Sequence, residues 1–140
     1  MPVPPEYERA STKFYDYLLD ARNQADLWST HVSYTMSQGV LQTFRARLTI
    51  QQAIDFANLL PICLRALFVT NWNTSQPIRP FVALAAMTEE VQSLRKDHNF
   101  APEHAIRSVA IAIRKQVDEE KFDAFLTTLP EGAIEFWTTK

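Results

Sequence analysis

The chain has 140 residues, 46% of them hydrophobic, with 14 basic and 16 acidic side chains and a net charge of −2. That length sets the expectation of one compact domain, residues 1–140, which can hide roughly 68% of its unfolded surface without disulfide staples. The balanced charge shows no basic footprint of nucleic-acid binding. No basic amphipathic helix offers itself to a membrane surface, and no apolar run approaches the ~20 residues of a membrane span.

Residues 1–6 carry three prolines and predict an extended lead-in. From Tyr7 a helical pattern begins, with Phe14, Tyr17, Leu18, Ala21 and Ala25 at steps of three and four, and it ends near Leu27–Ser29. A second helix is predicted from Val32 to Leu48, on the stripe Met36, Val40, Phe44 and Leu48. Thr49 followed by Gln52 fits a capping box and starts a third helix, with Ala53, Ile54, Phe56 and Ala57 as apolar cover. Pro61 suits the first position of a fourth helix, which turns Leu64, Leu67 and Phe68 inward. Thr70 to Pro80, rich in Asn, Ser, Thr and Pro, reads as a linker. Beyond it, helices are expected over Phe81–Arg95, from Pro102 through Ile106, Val109, Ile113 and Val117, from the N-cap Asp118 through Phe122, Phe125 and Leu126, and from Pro130 to Phe136-Trp137. Only two glycines, Gly39 and Gly132, are present, which favours helices over tight hairpins.

Shifting Thr35–Phe68 by 69 positions lays it on His104–Trp137. Val40 meets Val109, Arg45 meets Arg114, Phe56 meets Phe125, and Leu60-Pro61 meets Leu129-Pro130. Only 5 of 34 positions are identical, so the case rests on apolar positions, a helix start and a Leu-Pro staying in register without a gap. The expected architecture is all-α: two tandem pseudo-repeats of three to four helices, residues 7–69 and 81–138, joined by the 70–80 linker. The helices through Val40 and Val109 should be the most buried.

Val40-Leu41-Gln42-Thr43-Phe44-Arg45-Ala46-Arg47-Leu48-Thr49 resembles the Val-Leu-x-Thr-Leu-x-x-Arg-Leu-Thr signature of a bacterial family, domain of unknown function 2267. Gln52-Ala53, Leu59-Leu60-Pro61, Arg65, Asn71-Trp72 with Pro77 or Pro80, and Leu129-Pro130 to Phe136-Trp137 continue the resemblance, over about residues 12 to 137. Ala66 stands where the family usually has Gly, Phe68 where it often has Tyr, and Asn71 where it has Gly. The resemblance implies an all-helical domain of two related halves. It carries over no catalytic residue.

The residues themselves offer little chemistry. His31, His98 and His104 lack metal-ligand spacing, and a metal needs three or four convergent ligands. Gly-x-Ser-x-Gly elbows and Gly-rich phosphate loops are absent. The Asp118–Glu120 run is explained as an N-cap with dipole partners. Cys63, the single cysteine, aligns with Gly132 and reads as a small buried residue. No catalytic residue, cofactor or metal site is expected. One cysteine and no signal-peptide pattern lead to the expectation of a cytoplasmic, soluble protein. Arg45 and Arg114, equivalent in the repeat, pair with carboxylates or helix carbonyls, or else hold an anionic ligand. Trp72 either clamps the linker onto the helices or sits at a partner surface, where Trp is enriched. The expected function is a non-catalytic interaction module with a protein partner or a homo-oligomeric state. The alternative is a binding or enzymatic domain for a small apolar or anionic ligand held between the repeats.

Overall fold

The computed structural model describes residues 3–140 and, among them, forms nine α-helices, one 3-10 turn at Lys96–His98 and no strand. Pro5 occupies the first turn of α1 (Pro5–Glu8), where a missing N–H costs nothing. The expected extended lead-in therefore gives way to helix from Pro5 onward; Met1 and Pro2 lie outside the described residues. α2 (Ala10–Gln24) stops before the predicted end, and Asp26 turns the chain through left-handed backbone at φ 54°. Ser29 caps α3 (Thr30–Arg45), its hydroxyl accepting from the Val32 N–H at 3.3 Å. α4 (Ile50–Ala57) has the expected capping box. The Thr49 hydroxyl accepts from the Gln52 N–H at 3.1 Å, and the Gln52 side chain accepts from the Thr49 N–H at 2.9 Å. Pro61 caps α5 (Ile62–Val69) instead of opening it. α6 (Leu84–Ser93) is shorter than the predicted Phe81–Arg95. α7 (Ala105–Arg114), α8 (Glu119–Leu126), which Asp118 caps, and α9 (Ala133–Phe136) complete the fold.

α3 packs on α2, α5, α6 and α7, and α2 packs on α7, so the chain folds around one core. Met36, Val40 and Phe44 of the predicted stripe are fully buried. Phe44 lies 5.2 Å from both Phe136 and Trp137, and Phe56 lies 5.7 Å from both Phe122 and Trp137. Rings in such contact add about 0.5–1.5 kcal/mol per pair beyond their buried area. They fill the space between α3–α4 and α8–α9. Ile54, expected to cover the core, is instead 48% exposed.

One glycine sets a helix spacing. A Cβ at Gly39 would lie 2.7 Å from the Val91 carbonyl oxygen, closer than real Cβ atoms approach, so only glycine lets α3 and α6 meet this tightly.

Several local features recur at the 69-residue offset. Arg45 donates to the Phe68 carbonyl at 2.8 Å, and Arg114 to the Trp137 carbonyl at 2.9 Å. Thr49 and Asp118 each cap the helix that follows, and α4 and α8 have the same bounds at that offset. Cys63 and Gly132 are small for different reasons. Cys63 is half-buried rather than buried, and its thiol donates to the Ala10 carbonyl at 3.6 Å. Gly132 is left-handed at φ 105°, with Phe81 packed where a side chain would go.

Candidate functional site: the groove beneath the 70–80 linker

Two arginines, Arg45 at the end of α3 and Arg47 in the turn just after it, hold the linker at its two ends. Arg45 is only 7% exposed, and its Nη1 donates to the carbonyls of Phe68 at 2.8 Å and Thr70 at 3.0 Å, at the C-terminus of α5. Gln42 adds a second bond to the Thr70 carbonyl at 3.2 Å. Burial holds the Arg45 guanidinium below its ordinary pKa, yet an arginine keeps its charge. Among the described residues no carboxylate pairs with it. The Trp72 ring lies over it instead, 5.4 Å from centroid to guanidinium carbon, a cation–π contact. The chain reaches Trp72 through Asn71, left-handed at φ 55°. Asparagine is one of the few side chains that tolerate this backbone, which accounts for Asn71 standing where the resemblance has glycine.

Arg47 holds the other end. It is 3% exposed and donates to the Pro80 carbonyl at 3.2 Å and the Thr43 carbonyl at 2.9 Å. Its guanidinium also makes a two-pronged pair with the Glu90 carboxylate of α6, which Arg79 of the linker shares. Burial pushes the Glu90 carboxyl up, but the hydrogen bond and charge of Arg47, reinforced by Arg79, outweigh it and leave the group below its ordinary value. The Arg79 backbone N–H donates to the Ala46 carbonyl at 2.9 Å.

Between these ties lies an open groove of about 1040 Å³, walled by the end of α3, the start of α4, the linker and the end of α6. Its charged lining residues are Arg45, Arg79, Arg95 and Glu90, a local positive excess on a chain of net charge −2. Arg95 reaches the rim from left-handed backbone at φ 50°, and Asn99 donates to the Val91 and Leu94 carbonyls, each at 2.8 Å, to close the end of α6 beside it. Trp72, Ile50 and Ile78 supply apolar wall; Ile50 is 52% and Ile78 56% exposed.

The fold thus brings Arg45 and Trp72 together. Arg114 does not line this groove. Its Nε donates to the Trp137 carbonyl, its Nη1 meets Glu119 at 3.1 Å, its Nη2 meets Asp123 at 2.9 Å, and it lies over the Phe122 ring at 5.1 Å. Trp137 and Phe68, which the 69-residue shift lays on each other, are both fully buried. His31, His98 and His104 are exposed and lie in or beside loops. Among the described residues no three His, Cys, Asp or Glu side chains group together, and no helix is long and apolar enough to cross a membrane. Sequence reasoning missed Arg47, Arg79, Arg95 and Glu90. The Arg45-Ala46-Arg47 spacing was the available signal, but residues two apart on a helix point in different directions, so it names no shared site.

No curated protein matches the chain. The sequence profile of the family described as Uncharacterized conserved protein (DUF2267) matches residues 14–136, from within α2 to the end of α9, and the chain belongs to that family.

Proposed function

We propose that this protein is a non-catalytic interaction module that engages a protein partner through the groove beneath the 70–80 linker. The observation that carries this reading is Trp72 held over a carboxylate-free Arg45 in the wall of that groove. An aromatic–arginine pair with exposed aliphatic flanks is the composition in which binding energy concentrates at protein interfaces. The groove is open to solvent and lined by polar and apolar groups alike, unlike the enclosed apolar cavities that take small molecules. The rings of Phe44, Phe56, Phe136 and Trp137 fill the space where a ligand between the two halves would sit, which favours the interaction reading over that alternative. The perturbed acid–base groups already have structural employment: Tyr17 is sealed in the core against Ser37, and Glu90 is bound by two arginines. We further propose that residues 7–69 and 81–138 are tandem copies of one helical unit. The matching arginine-to-carbonyl bonds and N-caps at the 69-residue offset support this.

Selection of displayed peptides on the full chain tests the groove. The reading expects acidic sequences with apolar residues, whose affinity falls about tenfold or more on Trp72→Ala and on Arg79→Glu. Selected peptides that are indifferent to both substitutions would place the interaction elsewhere.

A further inference from the structure

The protein contains its own comparison for Arg45. At the 69-residue offset Arg114 occupies the same place and also donates to a helix-end carbonyl. The aromatic partner is supplied in both: Phe122 beneath Arg114, and Trp72 over Arg45, since Ala53 stands at the Phe122 position. The carboxylates are not. Glu119 and Asp123, which close the outer face of Arg114, correspond to Ile50 and Ile54. Both isoleucines are about half exposed on α4, and Ile50 lines the groove. Arg45 Nε and Nη2 have no partner among the described residues. Arg45 as a whole is 7% exposed, yet neither of these nitrogens is among the fully sealed polar atoms, so both are open to a counter-charge arriving from outside.

We infer, on the reading that the groove is a partner-binding face, that Arg45 receives a carboxylate of that partner, with an adjoining apolar group seated on Ile50 and Ile78. The second copy shows the chemistry that fits: carboxylates at the outer guanidinium nitrogens, Glu119 on Nη1 at 3.1 Å and Asp123 on Nη2 at 2.9 Å. In the first copy the isoleucines exchange an internal anion for an apolar contact. The site therefore selects an acid that is not also fully hydrated, such as an aspartate or glutamate side chain beside aliphatic residues. The positive excess from Arg79 and Arg95 draws such a segment toward the groove.

The test uses hexanoate as the probe, with hexanamide and inorganic phosphate as controls, and reads the Arg45 Nε–H and Trp72 indole resonances by NMR. Hexanoate should shift both resonances saturably, with a dissociation constant on the order of 1 mM, while hexanamide and phosphate bind at least about tenfold more weakly. The double variant Ile50→Glu with Ile54→Asp installs the pair of acids found on α8, at exposed positions that leave the core untouched. It should satisfy Arg45 internally and weaken hexanoate about tenfold or more. Absence of a saturable shift, phosphate binding as tightly as hexanoate, or hexanoate binding unchanged in the double variant would each overturn the inference. The selected acidic peptides separate the two ideas. If they still need Trp72 and Arg79 but ignore the double substitution, the groove remains the partner face and the carboxylate at Arg45 is wrong. If hexanoate competes with them, the peptide's own acid is the group bound at Arg45.

Discussion

Replacing Gly39 by alanine sets two effects of opposite sign against each other. Helix propensity alone favours alanine over glycine inside α3 by about 0.8–1.0 kcal/mol. Packing opposes it: the new Cβ would lie 2.7 Å from the Val91 carbonyl oxygen and 3.1 Å from Val91 Cγ1. Ordinary carbon–oxygen contacts sit at about 3.3–3.6 Å, so α6 would have to move outward by more than half an ångström. It is not free to do so. Asn99 holds the Val91 carbonyl at 2.8 Å, and Glu90 is paired with the buried Arg47. Overpacking of this kind costs about 1–3 kcal/mol. Midrange values of the two terms leave a net loss of about 1 kcal/mol, read as a fall in Tm of roughly 3–5 °C by calorimetry or circular dichroism. A variant as stable as the parent would refute the claim that the Gly39–Val91 contact sets the helix spacing. A double-mutant cycle with Val91→Ala sharpens the result, because that change removes Cγ1 and leaves the carbonyl. If the carbonyl is the obstacle, the coupling energy stays below about 0.5 kcal/mol; relief by more than that assigns the clash to the side chain.

The remaining predictions concern a partly buried ion pair and a buried hydrogen bond. Glu90 titrates below its ordinary value of 4.5 in the folded protein, so its contribution is fully present above that pH and is lost as pH falls through the lower folded value. Glu90→Gln should therefore destabilise the protein by about 1–3 kcal/mol at neutral pH, with the gap from the parent narrowing toward acid. Parallel stability curves from neutral pH into acid would remove the ion pair from the account. Tyr17→Phe removes the hydrogen bond between the phenol and the Ser37 hydroxyl at 2.8 Å and leaves a fully buried hydroxyl without it, so a loss of about 1–2 kcal/mol is expected in urea unfolding. Burial pushes the Tyr17 phenol up, and alkaline absorbance titration should therefore show it ionising only as the protein unfolds.

The core was legible because it depends on period. Met36, Val40, Phe44 and Leu48 fall four apart and are all at most 2% exposed, and the Thr49–Gln52 box is a local bond that needs no tertiary context. Ile54 misled because α4 is too short for its apolar positions to resolve into one face. Ala53, Phe56 and Ala57 turn inward while Ile50 and Ile54 turn out. The site was half legible. Arg45 stood out because the 69-residue shift lays it on Arg114, and Trp72 through being a large ring among turn residues. Their meeting was not visible, since it depends on a left-handed corner at Asn71 and on carbonyls exposed at the end of α5. Arg47 escaped notice because the end of α3 is enclosed on more than one side, so residues two apart there are both buried.

The two ties on the linker have a consequence for how its middle can change. Arg45 grips the chain at Phe68 and Thr70, and Arg47 grips it at Pro80, while the span between them bonds chiefly to itself, with the Asn73 side chain accepting from the Ser75 N–H at 3.1 Å. Length and composition over residues 73–78 are thereby decoupled from the stability of the helices. Insertions there enlarge a loop whose ends are already fixed, at an entropic cost that grows only slowly with length. One scaffold can in this way carry different spans, and the same position offers a natural insertion point for a grafted recognition sequence.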